Sequence, residues 1–93
     1  MLIFRTYTTE ERMKIYWHKG KKNIIGDNIW KLRCNAKLTQ EQLAARLQVL
    51  EYDFDRLTIG RIEAGNRFVA DYEVKALSLA LNVSIEKLYE NIT

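Results

Sequence analysis

Residues 38–65, LTQEQLAARLQVLEYDFDRLTIGRIEAG, contain two short helix patterns joined by a stretch that has none. The first pattern begins at Thr39 and Gln42, which have the spacing of a capping box, in which each side chain accepts a hydrogen bond from the backbone amide of the other residue. This pair predicts a helix over residues 40–47. Three apolar residues form its expected inner face: Leu43, Ala44 and Leu47.

The second pattern predicts a helix over residues 56–64. Asp55 is the favoured N-cap and Gly65 the expected stop, because glycine readily adopts the left-handed conformation that ends helices. A rotation of 100° per residue directs Ile59 and Ile62 toward the core. Four small, basic or apolar residues lie on the opposite face: Leu57, Gly60, Arg61 and Ala64.

Gly60 stands in the middle of this helix, where a glycine costs about 0.5–1 kcal/mol relative to alanine. Two explanations are open: a ligand approaches the backbone closely at this point, or another helix packs tightly against it. The sequence slightly favours tight packing.

The connection between the two helices, residues 48–54, has no helical period. We expect Leu50 and Phe54 to pack onto the core because both side chains are large and apolar. Acidic residues alternate over positions 51–55, which faintly suggests calcium, but an EF-hand loop also needs a glycine and further oxygen ligands at fixed positions. Loop and cap roles explain these acidic residues better.

Start signals predict four more helices along the chain. Thr8 and Glu11 have capping-box spacing and open a helix over residues 9–18, which Gly20 ends. The expected caps of three helices, over residues 25–35, 71–81 and 85–89, are Asn23, Asp71 and Ser84. Their expected buried positions are Ile25, Ile29, Leu32, Ala36, Val74, Leu77, Leu81, Ile85 and Leu88, with Arg33 at the edge.

Length and composition predict a single all-α domain. The 93 residues suffice for one modest core, and a hydrophobic content of 47% with 29% charged residues is ordinary for a globular protein. Proline is absent, which suits compact helices. Cys34 has no partner for an internal disulfide, so we expect it to pack inside the fold and the protein to be cytoplasmic.

The positive charge is concentrated at the N-terminus. Residues 1–23 carry six basic and two acidic side chains, whereas residues 24–93 carry nine basic and ten acidic ones, giving net charges of +4 and −1. The basic run at residues 19–22 is either a phosphate-contacting arm or a solvated linker. Residues 1–8 are compatible with an edge strand, a partner-binding arm or a disordered end. We therefore divide the chain into a basic extension, residues 1–23, and a helical domain, residues 24–93.

Patterns for catalysis and metal binding are missing from the sequence. His18 is the only histidine, and no glycine-rich phosphate loop, metal-ligand cluster or nucleophile motif occurs. No apolar run approaches the ~18 residues that span a membrane. We therefore expect no enzymatic activity, cofactor, metal, small-molecule substrate or membrane partner.

Four short segments follow one another in a characteristic order: IWKLR at residues 29–33, LTQEQLA at 38–44, TIGRIEAG at 58–65 and LNVSIEKL at 81–88. Together they resemble the XRE family of bacterial helix-turn-helix regulators, the Cro and phage-repressor type. The resemblance covers about residues 24–89 and implies a five-helix, lambda-repressor-like DNA-binding domain. The chain departs from the family after Leu47, where a longer connection replaces the usual short glycine turn.

The resemblance implies roles for individual side chains. Those that would face bases in the major groove are Arg56, Leu57, Gly60 and Arg61. Those that would contact phosphates are Gln40, Thr58, Asn66 and Arg67, to which the basic extension adds Lys21 and Lys22. Arg33 and Glu63 match a structural ion pair that ties the first helix of the domain to the recognition helix.

The resulting hypothesis is a sequence-specific DNA-binding transcription regulator, expected to be a repressor that acts as a homodimer on double-stranded DNA at the nucleoid. Because residues 24–93 are nearly neutral, a second copy or the basic extension would be needed for useful affinity. The alternative is a protein-interaction module of the same fold, such as an antitoxin or an antirepressor partner. The near-neutral body and an exposed Leu57 leave room for that alternative.

Overall fold

The computed structural model describes residues 18–92, and it confirms the prediction of an all-α fold for this part of the chain. Its five helices are α1 (Gly26–Asn35), α2 (Gln40–Val49), α3 (Arg56–Glu63), α4 (Asp71–Leu81) and α5 (Ile85–Leu88). His18 and Lys21 pair in an isolated bridge ahead of α1. The helix predicted over residues 9–18 lies outside the described residues, except for His18, and so does any strand in residues 1–8.

The core forms where the apolar faces of all five helices meet. The side chains with no exposed surface are Ile29, Leu43, Leu47, Ile59, Ile62, Leu77 and Leu88. Burying each side chain of this size contributes roughly 1.5–3 kcal/mol relative to leaving it exposed. Both α1 and α2 contact α3, α4 packs against α2, and α5 contacts α4 and α1. The short helix α3 therefore has its inner face enclosed by two other helices. Among residues 18–92, no helix is both long and apolar enough to cross a bilayer.

Local hydrogen bonds start three helices at the residues that the sequence predicts. The Gln42 amide donates to Thr39 Oγ1 at 3.0 Å, and the Thr39 amide donates to Gln42 Oε1 at 2.8 Å, which completes the capping box of α2. Asp55 Oδ1 accepts the amide of Thr58 at 2.8 Å and caps α3. Ser84 caps α5 in the same way. These starts depend on residues within one helical turn, which is why the sequence predicts them correctly.

The predicted cap of α4 is wrong. Asp71 is the first residue of the helix, and the N-cap position is occupied by Ala70. Glu73 accepts the amide of Ala70 at 3.0 Å, so a carboxylate from within the first turn satisfies this free amide. Asp71 instead adds negative charge to the first turn, where the helix dipole favours it. Because aspartate is common at both positions, its identity alone does not distinguish them.

Three predictions around the ends of α2 and α5 are also wrong. The helix α2 continues to Val49, so the turn begins after that residue rather than at position 48. Leu50 ends the helix and is exposed, and only Phe54 from the connection is buried. Ile85 is 40% exposed, because α5 is a single turn and directs Leu88 rather than Ile85 into the core.

The inner face of α1 differs from the prediction at its C-terminal end. Ala36 is exposed because the helix ends before it and the turn at Lys37, which has a positive φ of 60°, leads the chain away. Cys34 is exposed rather than packed. Arg33, which was predicted at the edge, is buried. Its burial depends on a partner, because a buried charge without one is strongly unfavourable.

Candidate nucleic-acid interface

The outer face of α3 carries the four residues predicted to read bases. Arg56 and Arg61 are exposed, and Leu57 is 57% exposed although it is apolar. Gly60 lies on the same face and is partly covered. The opposite face of the helix is fully buried. This short helix therefore presents one small, basic and apolar surface, and its other side is enclosed by the core.

Gly60 is not at a tight helix–helix contact, so the favoured explanation for it is wrong. A Cβ atom at this position would lie 3.6 Å from Nε2 and 3.7 Å from Oε1 of Gln40, which are ordinary van der Waals distances. Among residues 18–92, the three atoms nearest to such a Cβ all belong to the side chain of Gln40, at the start of α2. A methyl group would fit at Gly60 without moving the helices.

The C-terminal end of α3 is bound by the Arg33–Glu63 ion pair that the family resemblance implies. Arg33 Nε donates to Glu63 Oε2 at 2.6 Å and Arg33 Nη2 donates to Oε1 at 3.0 Å, with side-chain exposures of 11% and 7%. Hydrogen bonding to Glu63 raises the pKa of the Arg33 guanidinium. Gln40 Nε2 also donates to Glu63 Oε1 at 3.0 Å. One carboxylate therefore connects α1, α2 and α3.

Asn23 forms a second connection to the same end of α3. Its Oδ1 accepts the amide of Gly26, the first residue of α1, at 2.9 Å. The predicted cap is wrong in position, because Ile25 occupies the N-cap and the helix begins one residue later than predicted. Its Nδ2 donates to the carbonyl oxygen of Ile62 at 3.1 Å and to that of Arg67 at 2.9 Å. These two carbonyls lie 39 and 44 residues further along the chain. No local sequence signal points to either of them.

Gly26 permits α1 to approach α3 closely. A Cβ atom here would collide with the backbone carbonyl oxygen of Ile62 and would lie 2.9 Å from that of Glu63. The first turn of α1 therefore packs directly on backbone, without a side chain between them. No sequence pattern predicts this role for Gly26 beyond the presence of a glycine at the start of a predicted helix.

The two lysines predicted to contact phosphates lie beside the end of α3. Lys21 Nζ is 3.4 Å from the carbonyl oxygen of Ala64, and the backbone amide of Lys22 donates to the carbonyl oxygen of Gly65 at 2.8 Å. The Lys22 ammonium lies 5.6 Å from the ring centroid of Phe68. These lysines bring positive charge to the C-terminus of α3, which is the negative end of the helix dipole.

Arg67 and Thr58, which were also predicted to contact phosphates, have side-chain partners within the protein as well. Arg67 donates from Nη1 and Nη2 to the two carboxylate oxygens of Glu73, at 3.0 and 3.1 Å, and its guanidinium lies 5.1 Å from the ring centroid of Phe54. Burial alone would raise the pKa of Glu73, but the hydrogen bonds from Arg67 and from a backbone amide lower it overall. The Thr58 hydroxyl donates to Asp55 Oδ1 at 2.8 Å. Asn66, in contrast, is exposed.

The polar contacts at the N-terminal end of α3 are made by exposed side chains. The backbone amide of Thr58, followed by its hydroxyl, lowers the pKa of Asp55. Arg56 Nε lies 3.8 Å from Glu41 Oε1, and both side chains are largely exposed. Phe54 is the buried anchor of this end, and its carbonyl oxygen accepts from Gln48 Nε2 at 2.8 Å.

Tyr52 joins the connection after α2 to the start of α4. Its ring stacks on that of Tyr72, with centroids 6.5 Å apart, and meets the ring of Phe54 edge-on at 6.4 Å. The long connection is therefore packed against the domain. Because it is packed, it can support the start of α3 rather than leaving it loosely tethered.

Across residues 18–92 there is no group of three or more His, Cys, Asp or Glu side chains placed to hold a metal ion. No family model matches the sequence, and comparisons with curated proteins and with solved structures return no match.

Proposed function

We propose that this protein is a sequence-specific DNA-binding transcription regulator that inserts α3 into the major groove of double-stranded DNA. The observation that carries the proposal is the outer face of α3. Arg56, Leu57, Gly60 and Arg61 share one exposed surface on a short helix whose inner residues have no exposed area. An α-helix with an exposed face of this kind fits the major groove, which is about 12 Å wide.

The chemistry of this face suits base recognition. An arginine can donate two hydrogen bonds to O6 and N7 of a guanine, and an apolar side chain can contact the methyl group of a thymine. Arg61 and Leu57 supply these two groups. Gly60 leaves the backbone between them uncovered by its own side chain, so that DNA could approach closely there.

Phosphate contacts would then position the helix without reading sequence. The capping box fixes the first turn of α2, where Gln40 lies. Gln40 Nε2 donates a hydrogen bond to Glu63. Lys21, Lys22 and Asn66 lie around this same C-terminal end of α3. We propose that these side chains, together with Thr58 and Arg67, contact the phosphates of the DNA on the two sides of the groove.

We propose further that the protein acts as a homodimer, as a repressor at the bacterial or phage nucleoid. The described domain has little net charge, so one copy would gain little from attraction to phosphates. Two copies on a two-fold site would combine their affinities. Their recognition helices would then be about 34–36 Å apart, one turn of DNA.

The test is enrichment of a site from a pool of random duplexes, followed by titration of variants against the selected site and a scrambled duplex. Arg61→Ala should lose roughly 1–3 kcal/mol at the base it reads and little on the scrambled duplex. Lys75→Ala, which removes an exposed positive charge from α4, is the matched control and should leave discrimination unchanged. Failure of the wild-type protein to enrich any site would sink the proposal. An equal loss from Arg61→Ala on every sequence would make Arg61 a phosphate contact instead.

The exposure of Leu57 favours one other function, a protein-interaction module of the same fold such as an antitoxin or an antirepressor partner. An apolar residue at the centre of the outer face would serve a protein interface as well as a thymine methyl group. Salt separates the two functions. DNA binding through several phosphates weakens steeply between about 50 and 200 mM salt, whereas an apolar protein interface should respond weakly.

A further inference from the structure

Two asparagines near the start of α1, Asn23 before the helix and Asn28 in its first turn, each donate two hydrogen bonds to distant carbonyls. Asn23 Nδ2 donates to the carbonyl oxygens of Ile62 and Arg67, at 3.1 and 2.9 Å. Asn28 Nδ2 donates to the carbonyl oxygens of Leu88 and Glu90, at 2.8 and 2.9 Å. Each amide group therefore cross-links two carbonyls that are far away in sequence. Only Asn23 reaches α3.

The bonds of Asn23 span the last turn of α3 and the loop that follows it. The carbonyl oxygen of Ile62, in the last turn of the helix, also accepts the amide of Gly65 at 3.0 Å. Arg67 lies beyond the stop at Gly65. The single amide group of Asn23 therefore adds a second hydrogen bond to a carbonyl of the last turn and binds the returning chain next to it. The bond from the Gly26 amide to Asn23 Oδ1 then holds the amide group in one orientation against α1.

We propose that Asn23 is a positioning residue for the recognition helix. It would set the position of α3 relative to the rest of the domain and would not itself touch DNA. The inference rests on the proposed function. Bidentate bonds to a base require the arginine within a fraction of an ångström and a narrow range of angles, so a small shift of the helix weakens base reading most. Contacts to phosphates carry no sequence information and should tolerate the same shift better.

The experiment compares Asn23→Ala with Asn28→Ala, its matched control. The measured quantity is the ratio of affinities for the selected site and a scrambled duplex, at one fixed salt concentration. Both variants should melt at lower temperature than the wild type, since each loses two hydrogen bonds to carbonyls. Only Asn23→Ala should lower the affinity ratio, by about fivefold or more, equivalent to losing much of one bidentate base contact.

A second variant separates the bond between Asn23 Oδ1 and the Gly26 amide from the two bonds that Asn23 Nδ2 donates to carbonyls. Asn23→Asp keeps an acceptor for the Gly26 amide and loses both donors to the carbonyls. We expect it to lower the affinity ratio as Asn23→Ala does. An affinity ratio like that of the wild type would show that the bond to the Gly26 amide is the whole role of Asn23, and would overturn the inference.

Hydrogen exchange provides a readout without DNA. The amides of Gly65 and Asn66, which donate to Ile62 and Arg61 at 3.0 and 2.8 Å, close the end of α3. They should exchange faster in Asn23→Ala than in Asn28→Ala. Equal exchange, or equal affinity ratios for the two variants, would overturn the role of Asn23 while the DNA-binding proposal stands. Selection of no site by the wild type would overturn both.

Discussion

At its N-terminal end, α3 is capped by Asp55, an exposed side chain from the residue directly before the helix. At its C-terminal end, it is bound by Arg33, Asn23 and Gly26, which come from α1 and the residues before it. The first arrangement uses neighbours in sequence, and the second uses residues about one third of the chain away. The N-terminal end of α3 therefore depends on the residue beside it, whereas the C-terminal end depends on how α1 is positioned.

Burial explains the difference in expected strength. The pair of Arg56 and Glu41, at the N-terminal end, is exposed and 3.8 Å apart, and such pairs contribute about 0–1 kcal/mol. The pair of Arg33 and Glu63 is mostly buried, and each charge depends on the other because neither can be solvated fully. Changes at the C-terminal end should therefore have the larger effects.

The largest effect is expected from Glu63→Ala. It leaves the Arg33 guanidinium buried without its carboxylate, and it removes the acceptor of Gln40 as well. We expect a loss of about 3 kcal/mol in the free energy of unfolding, measured by urea denaturation. A loss below about 1 kcal/mol would mean that water reaches Arg33 readily, and the contrast between the two ends would fail.

The next largest effects on stability are expected from alanine substitutions at two glycines, and they should have opposite signs. Gly26→Ala places a methyl group against the carbonyl oxygens of Ile62 and Glu63, and should destabilise the protein by about 1–3 kcal/mol. Gly60→Ala has room beside Gln40 and improves helix propensity, so it should stabilise by up to about 1 kcal/mol. Thermal melts of both variants test the contrast. Destabilisation by Gly60→Ala would show that the backbone there is more crowded than the distances indicate.

A smaller effect is the loss of stability in acid that Asp55, at the N-terminal end of α3, should cause. Hydrogen bonds from Thr58 lower the pKa of Asp55, so the unfolded chain binds this proton before the folded one. The stability that the carboxylate contributes is complete at neutral pH and is lost as pH falls through the ordinary carboxyl range and below. Asp55→Asn keeps a capping oxygen without the charge.

Melting temperatures of the wild type and Asp55→Asn, measured from pH 7 to about 3, should therefore differ most at neutral pH and converge in acid. Glu73, whose pKa is also lowered, is present in both proteins and cancels in the comparison. A constant difference across this range would show that the charge of Asp55 adds nothing beyond its cap.

The smallest effect is expected from Glu41→Gln. This change removes the exposed partner of Arg56 and keeps the size of the side chain. The free energy of unfolding should fall by no more than about 1 kcal/mol, as in other exposed pairs. A loss as large as that of Glu63→Ala would contradict the explanation from burial.

The correct sequence predictions concern features that are repeated or satisfied within a few residues. The capping box at Thr39, the cap at Asp55 and the stop at Gly65 each involve residues within one turn. The inner faces of α2 and α3 follow from the helical period. Three of the errors occur near helix ends. Ala36 was assigned by continuing the period of α1 past the residue at which the chain turns, and Leu50 and Ile85 were expected to be buried because they are apolar.

The helical period placed Leu57, Gly60 and Arg61 on the outer face of a helix, and the family resemblance added Arg56 to the residues proposed to read bases. All four lie on the outer face of α3 in the structure. Their use in binding DNA is still a prediction. Sequence could not show that Lys22 and Arg67 contact aromatic rings within the domain, or that Arg67 pairs with Glu73. Those contacts arise between loops and helices whose relative positions no short pattern encodes.

The order of apolar and capping residues thus specifies the helices, their starts and the side of α3 that is buried, because backbone geometry repeats every few residues. The tertiary structure assigns the partners of Asn23, Gly26 and Arg33. Each of these residues meets α3 across a separation of 30 residues or more. Which carbonyl or carboxylate they meet depends on how α1 packs against α3, and that packing is a property of the whole core.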